Sequence, residues 1–176
     1  MTPREWTTVD KAAWGPGPWQ SEPDKIHWID PATDLDCLMV RNRHGGYWCG
    51  YVAVTEGHPW FGVAYMDCPI GDDHYCDHAP TIATDVHGGL TYSDFCMETE
   101  DESVGVCHVP QPGRPDRVWW FGFDCAHLYD RRPGGEARER EKYGWEPLEP
   151  TAQYRDRRYV EAEVVALARQ LAAVPT

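Results

Sequence analysis

Val118-Trp119-Trp120-Phe121-Gly122-Phe123-Asp124-Cys125-Ala126-His127 is the segment around which the chain is organised. Its apolar run, broken only by one glycine, lacks the in–out alternation of a strand with a wet face. It therefore reads as a central strand packed on both sides. At its far end an acid, a thiol and an imidazole follow one another in Asp124, Cys125 and His127. That strand end is where a reactive site is expected. Its natural companion is Asp85 to Tyr92, a strand-like segment that carries His87 beside Gly88 and Gly89.

Working outward, Lys25 to Ile29, Cys37 to Val40 and Tyr47 to Val54 read as short strands. The turns between them are Asp30 to Asp34 and Arg41 to Gly46, rich in the residues that favour reversal. Strand-like segments resume at 84–92, 104–109 and 117–125, and the 111–116 link suggests a hairpin between the last two. Residues 1–23 read as an irregular arm, because Gly15-Pro16-Gly17-Pro18 opposes regular structure while Trp6, Trp14 and Trp19 pin it down. Residues 67–80 read as a polar, Cys/His-rich excursion. Arg131 to Gly135 looks like a chain break, with one or two helical turns following over 136–142. Near the C-terminus, Val160, Val164, Leu167, Leu171 and Val174 form one apolar stripe at helical spacing, predicting a helix over 153–173. The expectation is an α+β fold in a single domain, 1–176. It has a mostly antiparallel sheet of about five to six strands and a C-terminal amphipathic helix on one face.

Composition bounds the function. The 176 residues carry a net charge of −13, which makes nucleic acid an unlikely partner, since phosphate backbones are bound by basic surfaces. No apolar run approaches the length of a membrane span. The N-terminus lacks the apolar core of a signal peptide, so a cytoplasmic protein is expected. Seven cysteines, an odd number, then point to reduced thiols or metal ligands in preference to a disulfide scaffold.

If 84–92 and 117–125 are neighbours, His87, Asp124 and His127 converge at one sheet end. Two imidazoles and a carboxylate suit zinc or another divalent metal with an open position for water. The same groups suit metal-free catalysis, with histidine as general base, Asp124 fixing its tautomer and Cys125 as nucleophile. They equally suit a strand end whose polar groups simply satisfy one another. His58, in a loop beside a possible cleft, is a candidate ligand contact. Arg131 and Arg132, with Arg41 and Arg43, are candidates for holding a polar or anionic small molecule. Cys68, His74, Cys76 and His78 lie within eleven residues and could staple a loop through zinc, although their spacing is not that of a two-cysteine knuckle. Cys96, Cys107 and His108 are either small buried groups or a looser metal or redox set. The sequence contains no Walker loop, no Gly-x-Ser-x-Gly elbow and no His-Glu-x-x-His.

The segments VHGGLTYS (86–93) and VWWFGFDCAH (118–127), with WCGYVAV (48–54), EGHP (56–59), CHVPQPG (107–113) and the C-terminal helix, resemble a family of small bacteriophage and bacterial proteins, often actinobacterial. The resemblance spans most of residues 24 to 172 and brings no activity with it. It leaves two expectations. One is a metal-assisted hydrolase or group-transfer enzyme acting on a polar or nucleotide-like small molecule. The other is a non-catalytic module of phage type that binds a host protein or sequesters a ligand.

Overall fold

The computed structural model of the chain describes residues 2–70, 76–97, 101–108, 111–145 and 151–175. Six strands form one open antiparallel sheet: β1 Arg4–Trp6, β2 Lys25–Ile29, β3 Asp36–Arg41, β4 Trp48–Val54, β5 Tyr92–Phe95 and β6 Trp119–Asp124. Their order is β1-β2-β3-β4-β6-β5. Strands β2 to β4 are the expected meander, and β6 lies between β4 and β5, pairing Tyr51 and Tyr92 to either side of Gly122. Among the described residues three α-helices complete the fold, the single turn α1 Pro80–Ala83, α2 Pro133–Tyr143 and α3 Arg157–Ala172. No helix among the described residues is long and apolar enough to cross a membrane.

Both faces of β6 are covered, as its composition requires. Trp119, Phe121 and Phe123 face α3 together with Met39, Trp48 and Val52. Trp120 lies on the opposite face with Leu38, Tyr51 and Val118. Helix α3 turns its stripe of Val160, Val164, Leu167 and Leu171 onto the sheet, all four fully buried. Burial of each such side chain is worth about 1.5–3 kcal/mol. The helix starts three or four residues later than its apolar period predicts, because the Asp156 carboxylate caps it by accepting from the Tyr159 amide at 2.9 Å.

Four expectations need correction. The N-terminal arm is partly regular, since β1 adds an edge strand to β2. Residues 84–91 are not a strand. Gly88 and Gly89 take φ of +70° and +81° and close a turn, and strand pairing begins only at Tyr92. In place of a neighbouring strand, α3 satisfies this backbone: Gln170 exchanges hydrogen bonds with Asp85, and Glu163 accepts from the His87 amide at 2.8 Å. Within 101–108 the chain runs as turns rather than as a strand, so the described part of the expected hairpin with β6 is absent. Finally, Pro133-Gly134-Gly135 opens α2 instead of breaking the chain. Gly134 is needed because a Cβ there would stand 2.8 Å from the His44 carbonyl oxygen and 3.0 Å from the Trp14 ring.

The cysteines also depart from expectation. Cys68 is bonded to Cys76 and Cys96 to Cys107, leaving Cys37, Cys49 and Cys125 as thiols. The candidate zinc clip at 68–78 has its two sulfurs joined to each other, and its His74 lies outside the described residues.

Candidate functional site

The polar centre forms where the 85–89 turn, the 125–130 turn and the first two turns of α3 meet. His87 stands between two partners. Its Nε2 lies 2.7 Å from Asp130 Oδ2 and its Nδ1 2.9 Å from the Tyr159 hydroxyl. His127 packs edge-on against His87, with ring centroids 5.2 Å apart. Its backbone amide donates to Asp130 Oδ2 at 3.0 Å and its Nδ1 lies 3.3 Å from the same oxygen. Arg155 Nε donates to the other carboxylate oxygen at 2.8 Å, and its guanidinium lies over the Tyr159 ring.

Asp130 is the hub of this network. Its side chain is only 1% exposed. Burial pushes its carboxyl up, but the hydrogen bonds from Arg155, His87 and the His127 amide outweigh that and hold it below the ordinary carboxylate range. An ionised carboxylate only accepts, so the His87 nitrogen facing it carries a proton. In neutral His87 the opposite nitrogen, Nδ1, is then a bare lone pair that accepts from the Tyr159 O–H. Burial, reinforced by the nearby Glu163 carboxylate, raises the Tyr159 phenol above its usual value and keeps that proton in place. The result is a directional chain, Tyr159 to His87 to Asp130.

The chain opens to one side. A cleft of about 540 Å³ is lined by Asp85, His87, Tyr159, Glu163 and Gln170. His127 is 39% exposed beside it, and the neighbouring Leu128 and Tyr129 project outward. Gly88 makes the packing possible: a Cβ at this position would stand 1.9 Å from His127 Cε1.

His87 and His127 thus converge as the sequence suggests, but the carboxylate between them is Asp130 and not Asp124. Asp124 shares a sheet face with Trp120 and Gly122, the face turned away from α3, and it accepts from the Thr91 hydroxyl at 3.0 Å and the Ala126 amide at 3.0 Å. Cys125 does not suit the role of nucleophile. It is 1% exposed within the apolar core, and burial, with the Asp130 carboxylate nearby, pushes its thiol far up. His58 is a structural tie, with Nε2 2.9 Å from the Leu171 carbonyl at the end of α3 and Nδ1 accepting from the Trp60 amide. Arg131 pairs with Glu136 and Arg132 with Glu139 along α2, and neither lines the cleft. Arg41 is fully buried, binding this chain's own Glu22 and Asp24.

Sequence reasoning missed Asp130, Arg155, Tyr159 and Glu163. A partial signal existed. Asp130 follows His127 by three residues, and Tyr159 and Glu163 are four apart, on one face of the predicted helix. Comparison of the chain with protein-family models, with curated proteins and with solved structures finds no match.

Proposed function

We propose that the cleft beside α3 is an acid–base site for hydrolysis or group transfer on a polar small molecule. The observation that carries this reading is the Tyr159–His87–Asp130 chain. Here an imidazole presents a lone pair to a hydroxyl at 2.9 Å while an ionised carboxylate fixes its tautomer from behind. His87 is the base that takes the proton. Asp130, neutralised in turn by Arg155, stabilises the imidazolium that results. Tyr159 is the relay at the cleft wall, passing its proton to His87 as it takes one from the attacking hydroxyl or water, so that no phenolate is left, and His127, Glu163 and Gln170 supply polar contacts to the substrate.

A second reading is supported by the spacing of His87, His127 and Asp130, which each offer a ligand atom, all within 4.8 Å of one another. Two imidazoles and a carboxylate can hold zinc or another divalent ion, with Tyr159 and Arg155 orienting the ligands from outside. In that case the ion, not Tyr159, activates the reacting water.

The test is turnover of a panel of esters, phosphoesters, glycosides and nucleotides by wild type, Tyr159→Phe and His87→Gln. We expect both variants to lose at least a hundredfold in rate on any compound the wild type consumes. Full activity in Tyr159→Phe combined with loss in His87→Gln and His127→Gln favours the metal. If no compound is consumed, with or without added zinc or manganese, the catalytic reading fails and a ligand-binding module takes its place.

A further inference from the structure

On the opposite side of the sheet from α3, a second cluster stands apart from the cleft. Cys96 directly follows β5, and Cys107 and His108 return beside it, the Met97 amide donating to the Val106 carbonyl at 3.2 Å. The two sulfurs are bonded, yet they are not treated as an inert crosslink. His108 Nδ1 lies 3.6 Å from Cys96 Sγ, and the indole N–H of Trp120 points at the same sulfur from 3.5 Å. His108 is 3% exposed, and among the described residues its Nε2 makes no well-formed hydrogen bond, with the Asp116 carboxylate 4.0 Å away and the Pro115 backbone and the Asp36 carboxylate nearby. A disulfide needs neither an imidazole nor an N–H donor. A metal-bound thiolate uses both.

We propose that Cys96, Cys107 and His108 form a redox-gated zinc site, closed as a disulfide when oxidised and binding the ion when reduced. Three arguments support it. The donor set of two thiolates and one imidazole is the one zinc takes in tetrahedral sites. With Zn–S at about 2.3 Å and Zn–N at about 2.1 Å, the sulfur–nitrogen edge of a tetrahedron is about 3.6 Å. The Cys96–His108 pair already stands at that separation, 3.6 Å. Finally, the site has an entrance. A cleft of about 390 Å³, lined by Phe95, Cys96, Asp116, Arg117 and Val118, leads to the sulfur, gives a reductant access and leaves room for water in the fourth position. Asp116 is the carboxylate that would take the His108 Nε2–H.

The chemistry balances with a dithiol as reductant. It delivers two electrons and two protons to the Cys96–Cys107 bond, giving two thiols, and itself becomes a disulfide. Zinc then displaces the two thiol protons to solvent as the sulfurs separate.

The experiment titrates cobalt(II), a coloured stand-in for zinc, into the intact protein before and after reduction with a phosphine, which becomes its oxide with the oxygen of water. We expect reduced protein to bind one equivalent with a thiolate-to-cobalt charge-transfer band that zinc bleaches, and oxidised protein to show no such band. The band should vanish in Cys107→Ser and persist in Cys68→Ser/Cys76→Ser and in His87→Ala/His127→Ala. Asp116→Asn, on an exposed side chain, should bind about tenfold more weakly. Absence of the band in reduced protein that retains its circular dichroism, or its survival in Cys107→Ser, overturns the proposal. If reduction unfolds the chain, failure of zinc to restore the folded spectrum also overturns it.

Discussion

The imidazole of His87 meets the carboxylate of Asp130 at 2.7 Å across 43 residues of chain, joining the 85–89 turn to the 125–130 turn. This contact leaves Asp124 with no part in the site. Asp130→Asn strips Arg155 of its counter-ion and gives His87 a partner that can no longer stabilise an imidazolium. We expect a loss of about 2–4 kcal/mol of stability, somewhat less than for a fully buried ion pair because Arg155 is partly exposed, and loss of activity. Asp124→Asn keeps an acceptor for Thr91 and should cost under about 1 kcal/mol. Urea denaturation of the two variants decides. Equal costs would contradict the assignment.

Gly88→Ala reaches His127 without altering any polar group. The residue sits at φ +70°, and the added methyl would occupy the space of the imidazole. The left-handed backbone alone costs about 1 kcal/mol or more. The expected outcome is a displaced His127 ring, visible as a shift of its imidazole resonances, with the fold retained.

The three thiols should be inert. Burial raises Cys37 and Cys125 far above the ordinary thiol range and Cys49 to about 12, so thiolate is scarce at neutral pH. Iodoacetamide at pH about 8 should leave all three unmodified in native protein and label them in urea. Rapid labelling of Cys125 in the native state would restore it as a nucleophile candidate.

Acid should destabilise the protein in two stages. Burial holds His58 and His108 below the ordinary histidine value. The unfolded chain therefore binds their protons first, and stability declines as pH falls below about 6.5. Glu22, Asp24, Asp36 and Asp130 all titrate below their usual range, because hydrogen bonds and cations outweigh burial. Their contribution is complete above pH about 4 and is lost below it. Urea midpoints measured from pH 8 to pH 3 should show both declines. His58→Gln, which can still donate to the Leu171 carbonyl, should flatten the upper one.

Buried arginine is the other exposed weakness of the fold. Arg41 lies over the Trp48 ring and spans Glu22, Asp24 and the Tyr154 hydroxyl. Arg41→Ala leaves Glu22 without its cation and Asp24 with Lys11 alone, and is expected to cost about 3–5 kcal/mol, read as a fall in the urea midpoint.

How much of this was legible follows from which forces act locally. The apolar run of β6 and the stripe of α3 announce themselves, because periodicity records burial directly. Pairing with β4 and β5 makes β6 an interior strand, second from the sheet edge and covered on both faces, as its apolar composition predicts. The turn at 86–89 misled because Val86 and Leu90 are buried like strand residues, while the partner of the backbone is a pair of helix side chains, Glu163 and Gln170, that no local pattern reveals. The site was half legible for the same reason. His87 and His127 sit beside conspicuous glycines and aromatics. Asp130 lies on one segment and Arg155 and Tyr159 on another, around the start of α3, and only the tertiary fold brings the two together.

The most direct measurement is the nitrogen spectrum of the His87 imidazole at pH about 8, above the ordinary histidine range. The proton chain requires Nε2 to carry the proton, held by Asp130, and Nδ1 to be bare, accepting from Tyr159. The account predicts that tautomer, with the Nδ1 shift moving in Tyr159→Phe. A proton on Nδ1 with Nε2 bare, or the averaged signal of a freely exchanging imidazole, would contradict it.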